Sequence, residues 1–223
     1  MRAARFASPL GIATLAGEGL YQVGKLGYEE QQRVNEMREK NLKEGFNQGL
    51  DISSVVILGG TGPVGVASAV ICAKAGANVR LVGRSIEKAE KTAAICNDRY
   101  QSKNVVAGAD ADKQDYLNDA DIVLNTGAAG IQLMSDENVQ MSSNLKICAD
   151  TNAVPPSGIA GVDVMDSGKI MEKSPNKCRG IGALAIGNVK YKSLHECLKL
   201  MYTSDDPEYL DFEDAFKFAQ KSV

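Results

Sequence analysis

The stretch SVVILGGTGPVG, Ser54 to Gly65, constrains the fold more than any other part of this chain. Four apolar residues, Val55 to Leu58, run directly into Gly59-Gly60-Thr61-Gly62-Pro63-Val64-Gly65. An extended segment must therefore turn sharply and begin a helix within a few residues. A short, continuous apolar run suits a strand buried on both faces. Pro63 suits a first helical turn, where its missing N–H had no partner to lose. The rhythm then repeats, with apolar runs at 55–58, 79–82, 105–108, 121–126 and 145–150. Helix-like segments at 63–75, 86–100 and 112–119 separate them. Strands alternating with helices predict a parallel sheet, and right-handed crossovers make it α/β, doubly wound and Rossmann-type. Past Asp150 the chain reads as loop, followed by two predicted helices at 190–202 and 211–221.

The texture ahead of Asp51 is different. Ile12, Leu15, Leu20 and Val23 have helical spacing, although Gly17, Gly19 and Gly24 weaken it, and the stretch after Gly27 is very polar. Residues 1–50 are thus expected to be a helical segment, either part of a substrate domain or an oligomerisation arm, and 51–223 a nucleotide-binding domain with C-terminal helices. Two helices with one narrow apolar stripe are often completed by a second chain, so a homo-oligomer, most simply a dimer, is expected. Arg2 and Arg5, with no acid before Glu18, have the look of a transit peptide. The helical rhythm continues unbroken beyond them, and a cytoplasmic protein is the expectation.

Composition narrows the function classes. A formal net charge of −3 gives no reason to expect nucleic acid or an anionic membrane surface as partner. No apolar run approaches the roughly 18 residues needed to span a bilayer. The five cysteines are widely spaced without a Cys-x-x-Cys pair, as expected of reduced, buried thiols rather than disulfides or a metal site. His195 is the only histidine, which removes most zinc sites and every histidine-containing triad not built on it.

Gly60-Thr61-Gly62-Pro63-Val64-Gly65 matches the pattern G-x-G-x-x-G between a strand and a helix. There Gly60 permits the tight turn, Gly62 lets a pyrophosphate approach the backbone, and Gly65 lets the helix pack closely on the strand. An NAD-type site would place an acid at the end of the second strand to accept from a ribose 2′-hydroxyl. This chain has Gly83, Arg84 and Ser85 there, with Lys88 one turn into the next helix. A guanidinium, a hydroxyl and an ammonium attract a 2′-phosphate, so NADP is the expected coenzyme. Ser85 also suits a helix N-cap. Thr126, Gly127 and Ala128, after the fourth strand, lie where a small-residue loop can pass beneath a nicotinamide.

Three further stretches carry a resemblance: Ala149 to Asp163 with its double proline, Gly182-Ala-Leu-Ala-Ile-Gly187-Asn-Val-Lys190, and Lys190 through Cys197 to Phe216. With GGTGPVG, VGR at 82–84 and NTGAAGIQL at 125–133, all in the same order, they resemble the NADP-dependent methylene-tetrahydromethanopterin dehydrogenases of one-carbon metabolism. The likeness runs from Val55 to the C-terminus. It implies that GTGPVG, Arg84 and the NTGAAG loop contact NADP(H), with Gly182 and Leu184 near the nicotinamide. The family has a substantial domain before the fingerprint, whereas only 59 residues precede Gly60 here, so a shortened or divergent N-terminal part is expected.

The implied reaction moves a hydride from a pterin-borne methylene carbon, flanked by two nitrogens, to NADP+. The resulting cation stabilises itself by resonance and no proton moves, so no general base is required. No catalytic residue is singled out. Asp150, Asn152 and Lys190 are substrate candidates by position alone. A tetrahydrofolate carrier, a shikimate-dehydrogenase-like reductase and a non-catalytic NADP(H)-binding module or subunit stand as alternatives.

Overall fold

The computed structural model describes residues 53–221. The segment before them, read as helical and oligomer-forming, lies outside the described residues.

Strand β1 (Ser54–Leu58) leads into helix α1 (Pro63–Lys74), and β2 (Asn78–Gly83) into α2 (Ile86–Tyr100). Then come β3 (Val105–Ala109), a single 3₁₀ turn at Asp110–Asp112, α3 (Lys113–Asn118) and β4 (Ile122–Asn125). They are followed by α4 (Asp136–Met141), β5 (Ile147–Asp150), β6 (Ser167–Ile170) and β7 (Arg179–Ile181). Helices α5 (Ala183–Thr203) and α6 (Phe212–Lys221) close the described chain.

The sheet order is β3-β2-β1-β4-β5-β7-β6, and every pairing is parallel except β6 with β7. The expected doubly wound α/β sheet is present. Alternate residues of β1 enter two different cores, as a strand buried on both faces requires. Val55 and Ile57 pack with the apolar side of α1 and with Ala89, Ala93 and Cys96 of α2. Val56 and Leu58 pack with Leu117, Met134, Val139 and Cys148 on the other face. In α2 the buried positions Ala89, Thr92, Ala93 and Cys96 recur at helical spacing, which turns the charged residues between them outward.

The C-terminal third departs from the loop expected there. The residues SGKI and RGI form β6 and β7, whose three- and four-residue lengths and lack of an apolar run hid them. Helix α5 begins at Ala183, seven residues before the predicted start at Lys190. Gly182 and Gly187 fall within the stretch expected to be loop. In the fold Gly182 is the N-cap of α5, and the burial of Ile186 and Val189 carries the helix through Gly187. Helix α4 also went unread, although Ser135 and Asn138 form a reciprocal capping box at its start.

Candidate coenzyme site

Backbone register aligns the strand ends. Leu58 stands beside Val82 on one side and Asn125 on the other, Asp150 beside Asn125, and Ile181 beside Ala149. The residues just after these positions therefore lie in one row along the carboxyl edge: Gly59 to Gly62, Gly83 to Ser85, Thr126 to Ala128, and Gly182 to Leu184. The chain winds outward from β1 through β2 to β3, then returns to β4 on the other side of β1. That reversal opens a crevice at the ends of β1 and β4, where doubly wound sheets take their ligands.

The glycines of the β1–α1 turn have separable duties. A Cβ on Gly65 would stand 2.2 Å from the Gly60 carbonyl oxygen, so helix and turn can touch only through glycine. A Cβ on Gly60 would meet Leu81 Cγ at 2.8 Å, while one on Gly62 would meet nothing within 4 Å. Gly62 thus borders open space at the N-terminus of α1. No side chain caps that end and no acid occupies its first turn, so its amides and dipole face the crevice uncompensated. Gly59 adopts φ +67°, and a Cβ there would lie 2.6 Å from Gly127 Cα, so the β1 and β4 loops pack backbone on backbone.

Hydrogen bonds fix the other side of the crevice. Thr126 donates to the Leu58 carbonyl through both its amide (2.9 Å) and its hydroxyl (3.1 Å). Asn125 accepts from the Gly127 amide at 3.1 Å and donates to Asp150 Oδ1 at 2.7 Å. Asp150 is 1% exposed, and its carboxylate also accepts the amides of Asn152, Gly158 and Ile159. Asn152 accepts from Gly130 and Val154 and donates to the Pro156 carbonyl. The two substrate candidates Asp150 and Asn152 therefore tie the 126–130 and 151–159 loops together and leave no carboxylate free to face a substrate. Lys190 is seven residues into α5, on the order of 10 Å from its start, and does not join the row.

Gly182 is buried beneath the 163–164 backbone: a Cβ there would sit 2.0 Å from the Asp163 carbonyl oxygen. Its neighbour Leu184 donates its amide to the Val164 carbonyl at 2.8 Å and leaves its side chain 49% exposed at the edge. His195, exposed midway along α5 beside Glu196, is remote from the row.

At the β2 corner, Arg84, Ser85 and Lys88 are all exposed. Ser85 is the N-cap of α2, accepting the Lys88 amide at 3.2 Å. Its single hydroxyl proton goes to Glu87 Oε2 at 2.6 Å. That hydrogen bond, helped by Glu87's own amide, holds the Glu87 carboxyl below its usual value. The sequence reading found no acid at this corner. Glu87, two residues after the cap, brings one back.

A Rossmann-type dinucleotide-binding domain is what this sheet and its glycine turn define. No family model matches the chain. It is 37% identical over 181 residues to the NAD(P)-dependent methylenetetrahydromethanopterin dehydrogenase of Methylorubrum extorquens, covering 80% of this chain and 60% of that protein. It is likewise 37% identical over 149 residues to bifunctional protein MdtA of the same organism, covering 66% of this chain and 50% of that protein. The described domain is thus similar to part of these methylenetetrahydromethanopterin dehydrogenase relatives, and the chain spans only 50% to 60% of their length. Among solved structures, quinate dehydrogenase from Corynebacterium glutamicum in complex with NAD shares the fold, with a TM-score of 0.51 at 15% identity over 95% of this chain and 62% of that one.

Proposed function

We propose that the chain is an NADP-dependent dehydrogenase that moves hydride between NADP and the methylene group of a tetrahydromethanopterin-type, or tetrahydrofolate-type, one-carbon carrier. The observation that carries this reading is the 37% identity over 181 residues to an NAD(P)-dependent methylenetetrahydromethanopterin dehydrogenase. When bound, the coenzyme supplies the hydride acceptor. The α1 N-terminus, with Thr61, Gly62, Val64 and Gly65, would hold the pyrophosphate, since its amides are uncapped and Gly62 borders open space. Gly83 leaves the β2 end level with the turn, and Arg84 and Lys88 would pair with a 2′-phosphate. Thr126, Gly127 and Ala128 would support the nicotinamide half from the β4 side, with Leu184 as an apolar neighbour.

The protein's catalytic task in such a reaction is positioning. A hydride leaving a carbon between two nitrogens needs no base, only a donor held close to the acceptor and shielded from water. Asp150 and Asn152 serve this indirectly, as positioning residues that fix the loops flanking the crevice. A cytoplasmic dimer is the assembly we infer. Its support in the described residues is an exposed stripe on α5, Tyr191, Leu198 and Tyr202, at seven- and four-residue spacing. A single monomer mass by light scattering at micromolar concentration would remove the dimer.

The test of the activity is a turnover assay with the full chain, NADP+ and methylene-tetrahydromethanopterin or its folate counterpart, following NADPH absorbance. Hydride transfer is expected. Arg84→Ala should weaken NADPH binding roughly 10- to 100-fold while NADH binding stays within about threefold, the loss expected for one charge-assisted phosphate contact. NADPH binding without turnover on either carrier would reject the dehydrogenase reading and leave a coenzyme-binding module.

A further inference from the structure

The β2 corner holds two opposed chemistries within five residues. Arg84 and Lys88 offer positive charge, and Glu87 offers a carboxylate on the same exposed turn. Ser85 determines how that carboxylate is held. A hydroxyl has one proton, and here it is donated to Glu87 Oε2 at 2.6 Å while the oxygen accepts the Lys88 amide. The carboxylate is thereby drawn back toward the cap of α2, beside the strand end where an NAD-type site keeps its acid. Ser85, in turn, has no proton left for a phosphate unless it lets go of Glu87.

We propose that Glu87, held by Ser85, is the residue that admits coenzymes with a free ribose 2′-hydroxyl, so that this chain binds NAD(H) as well as NADP(H) and Glu87 sets the ratio. A 2′-hydroxyl can donate to the Glu87 carboxylate. A 2′-phosphate, carrying close to two negative charges, is drawn by Arg84 and Lys88 but repelled by Glu87. Between partners in contact with water, that repulsion is a few-fold in affinity per unit charge, or about tenfold for a dianion. The carboxyl stays ionised across ordinary pH, since the Ser85 hydroxyl and its own amide hold it below its usual value. Glu87 is thus a specificity-determining residue and Ser85 its positioning residue.

The inference rests on the coenzyme reading above, and affinities separate the two. Dissociation constants of the full chain for NADPH and NADH, from nucleotide fluorescence, are the primary readout. Glu87→Gln removes a charge from an exposed first turn and should leave folding intact. It is expected to tighten NADPH about tenfold and weaken NADH about threefold, and the NADPH gain should shrink at 0.5 M salt as screening takes over. Ser85→Ala should weaken NADH more than NADPH, with Ser85→Thr restoring the original ratio. A plain capping role would lower both affinities alike. An NADPH-to-NADH affinity ratio in Glu87→Gln equal to that of the unaltered chain overturns the proposal. If the unaltered chain binds neither nucleotide, the coenzyme reading itself fails.

Discussion

At the residue scale, Asp150 shows how a side chain at a strand end can be structural rather than reactive. Its two carboxylate oxygens receive four N–H groups, from the Asn125 side chain and the amides of Asn152, Gly158 and Ile159. Only an acceptor on both sides satisfies that arrangement. Asp150→Asn would turn an NH₂ toward one pair of donors, leaving buried groups without partners. The expected loss is roughly 2–4 kcal/mol, read as a lower urea midpoint. Because the loops at 126–130 and 151–159 lose their common anchor, coenzyme affinity should fall with it. An unchanged midpoint would mean that water replaces the carboxylate without loss. Gly65 and Asp150 also differ in legibility. The G-x-G-x-x-G spacing announces the glycine, whereas nothing near Asp150 in the chain predicts that Gly158 and Ile159 fold back onto it.

At the scale of elements, α6 illustrates packing against pairing. It is linked to the end of α1 by the Lys74–Glu213 ion pair at 2.6 Å, but both side chains are more than a third exposed. It also seats Ala215, fully buried, against Cys197 of α5, and Phe212 against the Tyr100 ring edge-on at 5.4 Å. Exposed pairs contribute little and overfilled cores lose more. Glu213→Gln should therefore cost less than about 1 kcal/mol, diminishing with salt. Ala215→Leu should cost about 1–3 kcal/mol, since the larger side chain has no space beside Cys197. A urea midpoint for Glu213→Gln as low as that of Ala215→Leu would contradict this ordering, and a lower one would show the ion pair to be the stronger tie. The two helices were predicted to within a residue at most ends because amphipathic spacing is local. The early start of α5 is not local: the burial of Ile186 and Val189 carries the helix through Gly187.

At the scale of the whole molecule, the buried thiols make stability depend on alkaline pH. Cys96 and Cys197 are pushed up from 9.0 to about 11, chiefly by burial, and Cys72 is pushed up for the same reason. Cys148 is raised first by its hydrogen bond with the Cys178 thiol, 3.4 Å away, and then by burial. Their folded pKa values lie above the unfolded ones. The folded chain therefore keeps protons that the unfolded chain releases, and stability present below about pH 9 falls as pH rises toward 11. The slope is at most about 1.4 kcal/mol per pH unit for each such thiol. Urea midpoints between pH 7 and 10.5 should be flat at first and then decline, with Cys96→Ala flattening part of the decline. A midpoint constant to pH 10.5 would contradict this.

What the sequence determined was whatever is local in the chain: the apolar runs of β1, β2, β4 and β5, the strand–turn–helix around Gly60 to Gly65, the Ser85 cap and the alternation of strand with helix. Each depends on periodicity or on conformational needs within about a dozen residues. Tertiary structure alone decided what depends on distant segments meeting. The antiparallel edge of β6 and β7, too short to signal itself, exists because its neighbour β5 offers free backbone groups. The duties of Asp150 and Asn152 follow from loops that close over them. The hold of Ser85 on the Glu87 carboxylate at the β2 corner is likewise structural information, since sequence spacing names a residue's position but not the direction of its hydrogen bond.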